Sequence, residues 1–184
     1  MDNQHRHKLP KTGDETAFRK LIDDYRPLVF RTAARFLTDP DDCSDLTQEV
    51  FIEVWRSASR FRGDSSIATW LYRITVNKAL NQLRREKRKN WLISLRNLGT
   101  TPEPRTRSDE TAGKLNQNDD ARLINNALSQ LPENQRVAFV LSQSEHLSQK
   151  AISEVMGLSE SAVESLIHRA RTNLRKKLRN HYTD

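Results

Sequence analysis

Leu147-Ser-Gln-Lys-Ala-Ile-Ser-Glu-Val-Met-Gly157-Leu-Ser-Glu-Ser-Ala-Val163 carries the sharpest local instruction in the chain. Ser148 is placed as a helix N-cap, its hydroxyl able to accept from a free backbone N–H. Leu147 before it can staple onto Ile152. Gly157 supplies the left-handed residue that ends a helix. The device then repeats, with Ser159 as cap and Leu158 stapling onto Val163. Beyond it Val163, Ile167, Ala170, Leu174 and Leu178 recur in steps of three and four, one buried stripe of a helix. Two capped helices joined by a tight glycine turn read as a helix-turn-helix, with the second helix placed to enter a major groove. The other face of that helix presents Ser161, Glu164, Ser165, His168, Arg169, Arg171 and Thr172. Arginine pairs bidentately with guanine, glutamate accepts from cytosine, and serine reads either. The following Arg175, Lys176, Lys177 and Arg179 suit phosphate oxygens. The same spacing also describes a helical hairpin with a solvated charged face. The doubled cap and the basic run tilt the reading toward DNA.

Working outward, helical periodicity dominates. From Phe18 the apolar positions Leu21, Ile22, Tyr25, Leu28, Val29, Ala33, Phe36 and Leu37 share one face. Pro27 should kink or break that helix, because it removes a donor and clashes one turn back. Thr38-Asp-Pro-Asp-Asp42 reads as a turn and the acidic start of a second helix carrying Leu46, Val50, Phe51, Val54 and Trp55. Ser65 or Ser66 caps a third, with Ile67, Trp70, Leu71, Ile74, Val76, Leu80 and Leu83 apolar. After Trp91 the texture turns polar and proline-bearing, as in a flexible linker. Helical spacing resumes near Asp119 and breaks at Leu131-Pro132. The expected fold is all-α: two small helical domains, the second a helix-turn-helix, joined by a flexible linker. The divisions are a disordered tail over 1–13, a first domain over 14–92, a linker over 93–118 and a second domain over 119–184.

Charge is unevenly spread. The chain of 184 residues has a net charge of +7, which points to a polyanionic partner. Residues 14–53 nevertheless hold ten acidic against five basic side chains, whereas residues 54–91 hold ten basic against two acidic. An acidic helix pair thus precedes one basic surface, and a second basic surface closes the chain. In the first, Phe61-Arg-Gly-Asp-Ser-Ser-Ile-Ala-Thr-Trp-Leu-Tyr-Arg-Ile-Thr-Val-Asn-Lys78 interleaves aromatics, cations and an amide. Single-stranded DNA is bound by such a mixture, bases stacking on rings while cations follow the backbone. Trp70 is equally placed to be core, among Ile67, Leu71 and Ile74.

Several chemistries fall away. The longest apolar run, Val137 to Leu141, is far too short to span a membrane. Met1 to Lys8 has no apolar core, so it is not a secretory signal. Five dispersed glycines leave no phosphate-cradling loop. Cys43 is the single cysteine, which excludes an internal disulfide. At a helix start its thiol pKa could be lowered. The acids Asp39, Asp41, Asp42 and Asp45 lack the glycine and closing glutamate of a calcium loop, and the helix dipole explains them. No metal, cofactor, catalytic group or small-molecule substrate is read, and the chain is expected to be soluble and cytoplasmic.

Asp45-Leu-Thr-Gln-Glu-Val-Phe-Ile-Glu-Val-Trp55, Phe61-Arg-Gly-Asp64, Thr69-Trp-Leu-Tyr-Arg-Ile-Thr-Val-Asn77, Leu131-Pro132 and the helix-turn-helix ending His168-Arg-Ala-Arg171 together resemble a bacterial sigma factor. The length and order are similar to the extracytoplasmic-function group of the sigma-70 family, over most of residues 14–180. The resemblance implies a non-enzymatic transcription initiation factor. It implies that core RNA polymerase is bound through Asp45, Gln48, Glu49, Ile52 and Trp55. The melted −10 element would be captured by Phe61, Arg62, Ser65, Ser66, Trp70, Arg73, Asn77 and Lys78. The −35 duplex would be read by Ser161, Glu164, Ser165, His168, Arg169 and Arg171. It further implies an anti-sigma protein as a partner, and domains that move about the linker in the free chain. Glu164 departs from the basic residue of many relatives, and an acid there must accept from cytosine or pair with Arg169 or His168. A polymerase-independent helix-turn-helix regulator and a helical protein adaptor are the alternative classes.

Overall fold

The computed structural model describes residues 14–61, 63–96, 118–143 and 145–179. The expected tail over 1–13 and most of the expected linker lie outside the described residues. Seven helices and one 3-10 turn make up the described architecture, with no strand among them.

Helix α1 (Glu15–Ala33) starts on Asp14, whose carboxylate accepts from the Ala17 N–H at 3.0 Å. It continues through Pro27 without the expected break. Asp23, one turn back, and Pro27 both face solvent, so water can satisfy the carbonyl that proline leaves unbonded. Helix α2 (Pro40–Ser57) follows with Asp39 as N-cap, accepting from Asp41 at 2.9 Å, and Pro40 where no donor is needed. A 3-10 turn (Ala58–Arg60) leads to the loop before α3 (Ile67–Arg96). Of the two candidate caps, Ser66 serves, its hydroxyl accepting from the Thr69 N–H at 3.0 Å. Helix α3 outlasts the expected domain end, so residues 93–96 are helical. These three helices pack on one another through Leu21, Val29, Val50, Val54, Ile67 and Leu71, all buried.

The C-terminal half holds α4 (Asn118–Ser129), α5 (Glu133–Gln143), α6 (Gln149–Met156) and α7 (Glu160–Arg179). Helices α4, α5 and α6 all lean on α7. Ala127 and Leu131 meet Ala170 and Leu174 in a small separate cluster at the C-terminal end of α7.

The two halves share one core. Buried side chains of α1–α3 are continuous with Val137, Leu141, Ile152 and Val163. Polar groups seal the seam. Glu145, its side chain fully enclosed, accepts from Arg31 Nη2 at 2.9 Å and Nε at 3.2 Å, and from the Tyr72 hydroxyl at 3.0 Å. Arg136 of α5 donates to the Arg35 and Phe36 carbonyls at 3.2 and 3.1 Å and lies over the Phe36 ring. Arg84 of α3 grips Glu133, and Arg73 donates to the Glu154 carbonyl. The domains expected to move freely are therefore packed together in this arrangement.

Candidate nucleic-acid and protein interfaces

The stripe Asp45, Gln48, Glu49, Ile52 and Trp55 runs along one face of α2, because steps of three and four return to the same side. The first four are exposed, Ile52 by 50% despite its apolar side chain. Trp55 is half-buried, edge-on to Phe18 of α1 with ring centroids 4.7 Å apart. Between the two helices lies an apolar groove of about 450 Å³, lined from α1 by Phe18, Ile22, Arg26 and Phe30 and from α2 by Gln48, Ile52 and Trp55. Phe18 and Ile22, expected on the apolar face of α1, pack on the core and also line this groove, whereas Arg26 and Phe30 were not expected at a site. The available signal was the width of the apolar stripe, which leaves Phe30 39% exposed.

The second candidate surface lies at the start of α3. Gly63 takes φ +77°, in the left-handed region that favours glycine. Phe61 packs on Trp70 with centroids 5.0 Å apart and planes tilted by 44°. Trp70 is half-buried, so it belongs partly to the core and leaves part of its ring at the surface. Ser66 is consumed by capping, and its hydroxyl also pairs with that of Thr69 at 2.8 Å. Ser65 is half-buried beside it. Asn77 is exposed one turn beyond Arg73. Lys78 turns toward α2 and pairs with Glu49 at 3.2 Å, so this cation and this acid, expected on different surfaces, meet. Arg62 lies outside the described residues.

The third is α7. The Ser148 hydroxyl accepts from Ala151 at 3.2 Å, and Gly157 closes α6 at φ 66°, ψ 33°. The Ser159 hydroxyl accepts from Ala162 at 3.3 Å and pairs with that of Ser161 at 3.1 Å. Leu147 packs on the core, whereas Leu158 is left 38% exposed rather than stapled down. Ser161, Glu164, Ser165, His168, Arg169 and Arg171 are all exposed, on the side opposite buried Val163, Ile167 and Ala170. Glu164 makes no ion pair with Arg169 or His168. Lys177, read as a phosphate ligand, instead donates to Gln130 at 2.6 Å and ties α7 to the end of α4.

Electrostatics follow the seam. Its hydrogen bond to Glu145 pushes the Arg31 pKa up, while burial pulls that of Arg136 down. Burial and the Glu145 carboxylate push the Tyr72 phenol up to about 12. Burial, with Asp42 and Asp39 nearby, raises the Cys43 thiol rather than lowering it; its sulfur faces the Leu37 carbonyl inside the core. Among the described residues no group of three or more metal-ligating side chains is assembled, and no helix is long and apolar enough to cross a membrane.

Residues 21–89 match the family model for sigma-70 region 2, and residues 121–174 match that for sigma-70 region 4. The chain is 32% identical over 180 residues to the RNA polymerase sigma-H factor of Pseudomonas aeruginosa, covering 90% of this chain and 88% of that protein. It is 33% identical over 180 residues to the ECF RNA polymerase sigma-E factor of Haemophilus influenzae, covering 90% and 89%. Among solved structures it is similar to CnrH in complex with the cytosolic domain of CnrY, with 26% identity, a TM-score of 0.65 and 91% of each chain covered. Two region matches in the expected order, with relatives 32% and 33% identical over 90% of the chain, place the chain in the sigma-70 family, as an RNA polymerase sigma factor of the extracytoplasmic-function group.

Proposed function

We propose that the three faces divide the labour of promoter-directed initiation. The α2 face, with Asp45, Gln48, Glu49, Ile52 and Trp55, docks on core RNA polymerase, and the α1 side of the groove extends that dock. An exposed isoleucine and a half-buried tryptophan over an apolar trough, on a helix that also exposes Asp45 and Glu49, suit a helical partner with an apolar ridge and basic side chains beside it. The loop and α3 stretch from Phe61 to Lys78 captures the unpaired −10 strand, with Arg73, Asn77 and Lys78 as the polar contacts. Helix α7 reads the −35 duplex through Ser161, Glu164, Ser165, His168, Arg169 and Arg171. The chain itself makes and breaks no covalent bond, needs no cofactor, and works in the cytoplasm. An anti-sigma protein that clasps both halves is the expected regulator, as the cytosolic domain of CnrY accompanies the similar CnrH.

The observation that supports this reading most is the exposure of all six reader positions on a recognition helix capped by Ser159, in the same chain as an exposed Ile52 on an acidic helix. A polymerase-independent regulator has no use for the second. Reconstitution tests it: the purified chain is added to sigma-free bacterial core polymerase on a promoter library. Selective initiation that is lost with Arg171→Ala and with Ile52→Asp is the expected result. Sequence-specific DNA binding without polymerase dependence would overturn the assignment of the α2 face.

A further inference from the structure

Helix α3 runs on for about three turns beyond Leu83, the last of its side chains to pack on the core. From Arg85 to Leu95 every side chain is exposed. These turns are sorted by chemistry along the axis. Arg85, Lys87, Arg88 and Lys89 come first, with Glu86 as the one acid among them, and none of the four cations makes an ion pair among the described residues. Trp91, Leu92, Ile93 and Leu95 follow, Trp91 exposed by 62%. Ordinary helix ends in water do not carry so much apolar surface, and contiguous exposed apolar side chains mark a place where something binds.

The arrangement around the axis is as telling. At 3.6 residues per turn, Trp91, Leu92 and Leu95 fall within about 100° of one another, and Arg85 and Arg88 lie one to two turns back on that same side. Glu86, Asn90 and Ser94, four residues apart, form a narrow polar strip on the other side. Arg85, Arg88 and Lys89 share an open cleft of about 650 Å³ with Leu92 and Ile93, so cations and apolar carbon face one space. We propose that residues 85–95 of α3 form a peripheral docking tip for an anionic phospholipid surface. Headgroup phosphates meet the cations, the acyl boundary receives Leu92, Ile93 and Leu95, and the Trp91 indole sits between the two. The polar strip is left facing water. This inference stands apart from the promoter reading, which uses α3 only as far as Lys78.

Other occupants fit less of this surface. A nucleic-acid backbone satisfies the cations but leaves four apolar side chains in water. A second copy of the chain covers those side chains but sets four cations against four. With Ile93 included, the apolar side chains reach about 200° around the axis, wider than the side one docking helix covers. A fluid lipid layer closes around such a tip without needing a matching groove. The depth agrees too: from Trp91 to Leu95 the helix rises about 6 Å, within the roughly 5–10 Å that an interfacial helix reaches into the headgroup and acyl boundary.

The test is co-sedimentation of the full-length chain with phosphatidylcholine vesicles, pure or carrying about one-third phosphatidylglycerol. Binding to the anionic vesicles should be at least about tenfold tighter than to the neutral ones. Tryptophan emission should shift to the blue on binding, and Trp91→Phe should remove that shift while holding affinity within about threefold, which separates Trp91 from Trp55 and Trp70. A basic side chain near an anionic surface is worth about fivefold, so Arg88→Gln/Lys89→Gln should weaken binding about twentyfold. Arg19→Gln/Lys20→Gln makes the same change in charge at exposed positions of α1 and should stay within about twofold of the parent. Trp91→Gln/Leu92→Gln should lose about tenfold or more with all cations kept. Circular dichroism checks that each variant is folded. Equal affinity for the two kinds of vesicle, or none for either, overturns the proposal. Equal losses from the α1 and α3 cation pairs overturn it as well, since the chain would then adsorb only as a polycation. So does a folded Trp91→Gln/Leu92→Gln variant that binds like the parent, which would leave the apolar side chains as a seat for a protein.

Discussion

Replacing Ile52 by alanine separates docking from folding. Fully burying an isoleucine side chain is worth about 1.5–3 kcal/mol. Ile52 is 50% exposed in the free chain, so roughly half of that, about 1 kcal/mol, remains to be gained when a partner covers it. Ile52→Ala should therefore weaken polymerase binding by about three- to tenfold. The isolated protein should barely notice: the side chain packs against the groove along one side only, and alanine is the better helix former by a few tenths of a kcal/mol. A urea midpoint equivalent to within about 0.5 kcal/mol of the parent is expected. Ile52→Asp puts an unpaired carboxylate into the same apolar trough and should cost about a hundredfold or more in affinity, since a buried charge without a partner is strongly disfavoured. Trp55 is a poorer probe because its ring braces Phe18, so its loss would disturb the α1–α2 packing as well. Affinity is read by titrating labelled chain with core enzyme, and stability by urea unfolding. Folded Ile52→Asp protein that still binds core polymerase like the parent would refute the assignment of this groove.

Three other outcomes are expected. Gly157→Ala meets no atom near its new Cβ, so its cost is conformational: about 1–2 kcal/mol for an L-residue at φ 66°, offset by about 0.5 kcal/mol from a less free unfolded chain. Thermal unfolding should show a net loss near 1 kcal/mol, smaller for Gly157→Asn, and a loss above about 3 kcal/mol would mean that the turn is sterically constrained after all. Glu164→Ala should leave stability within about 0.5 kcal/mol, since the carboxylate is exposed and unpaired with its cationic neighbours, yet reorder the ranking of −35 sequence variants; an unchanged ranking would remove Glu164 from the readout. The Tyr72 phenol, raised from 10.0 to about 12, keeps a proton in the folded chain that the unfolded chain releases above about pH 10. The stability this provides is whole below about pH 10 and lost as pH rises through about 12, with a few kcal/mol at most involved. Urea midpoints across that window should fall more steeply for the parent than for Tyr72→Phe, and equal slopes would exclude this hydroxyl as the cause.

What the sequence revealed, and what it hid, divides by the range of the forces. The cap–glycine–cap series from Ser148 to Ser159 acts over one turn, so it was legible residue by residue, and the exposed side of α7 followed from 3.6-residue periodicity. Pro27 does not break α1, because the local rule carries no information that Asp23 and Pro27 face water. Periodicity marks an apolar side but does not name what lies against it. Phe18 and Ile22 therefore read as core and not as the rim of a groove. The seam was hidden for the same reason: nothing local marks Glu145, and only the fold brings Arg31 and Tyr72 to it from 114 and 73 residues away. Cys43 shows a competition of terms, where enclosure and two aspartates outweigh the helix start.

Helix α3 also outruns the body it supports. At 30 residues it is a rod of about 45 Å, and its tip lifts Trp91, Leu92, Ile93 and Leu95 into water, each at least 45% uncovered. Such a tip is adhesive. A cell or a test tube that holds more of this chain than its partners can absorb should see it clump as concentration rises. Replacing Trp91 and Leu92 by glutamine in the full-length chain should keep it monodisperse at concentrations where the parent scatters light.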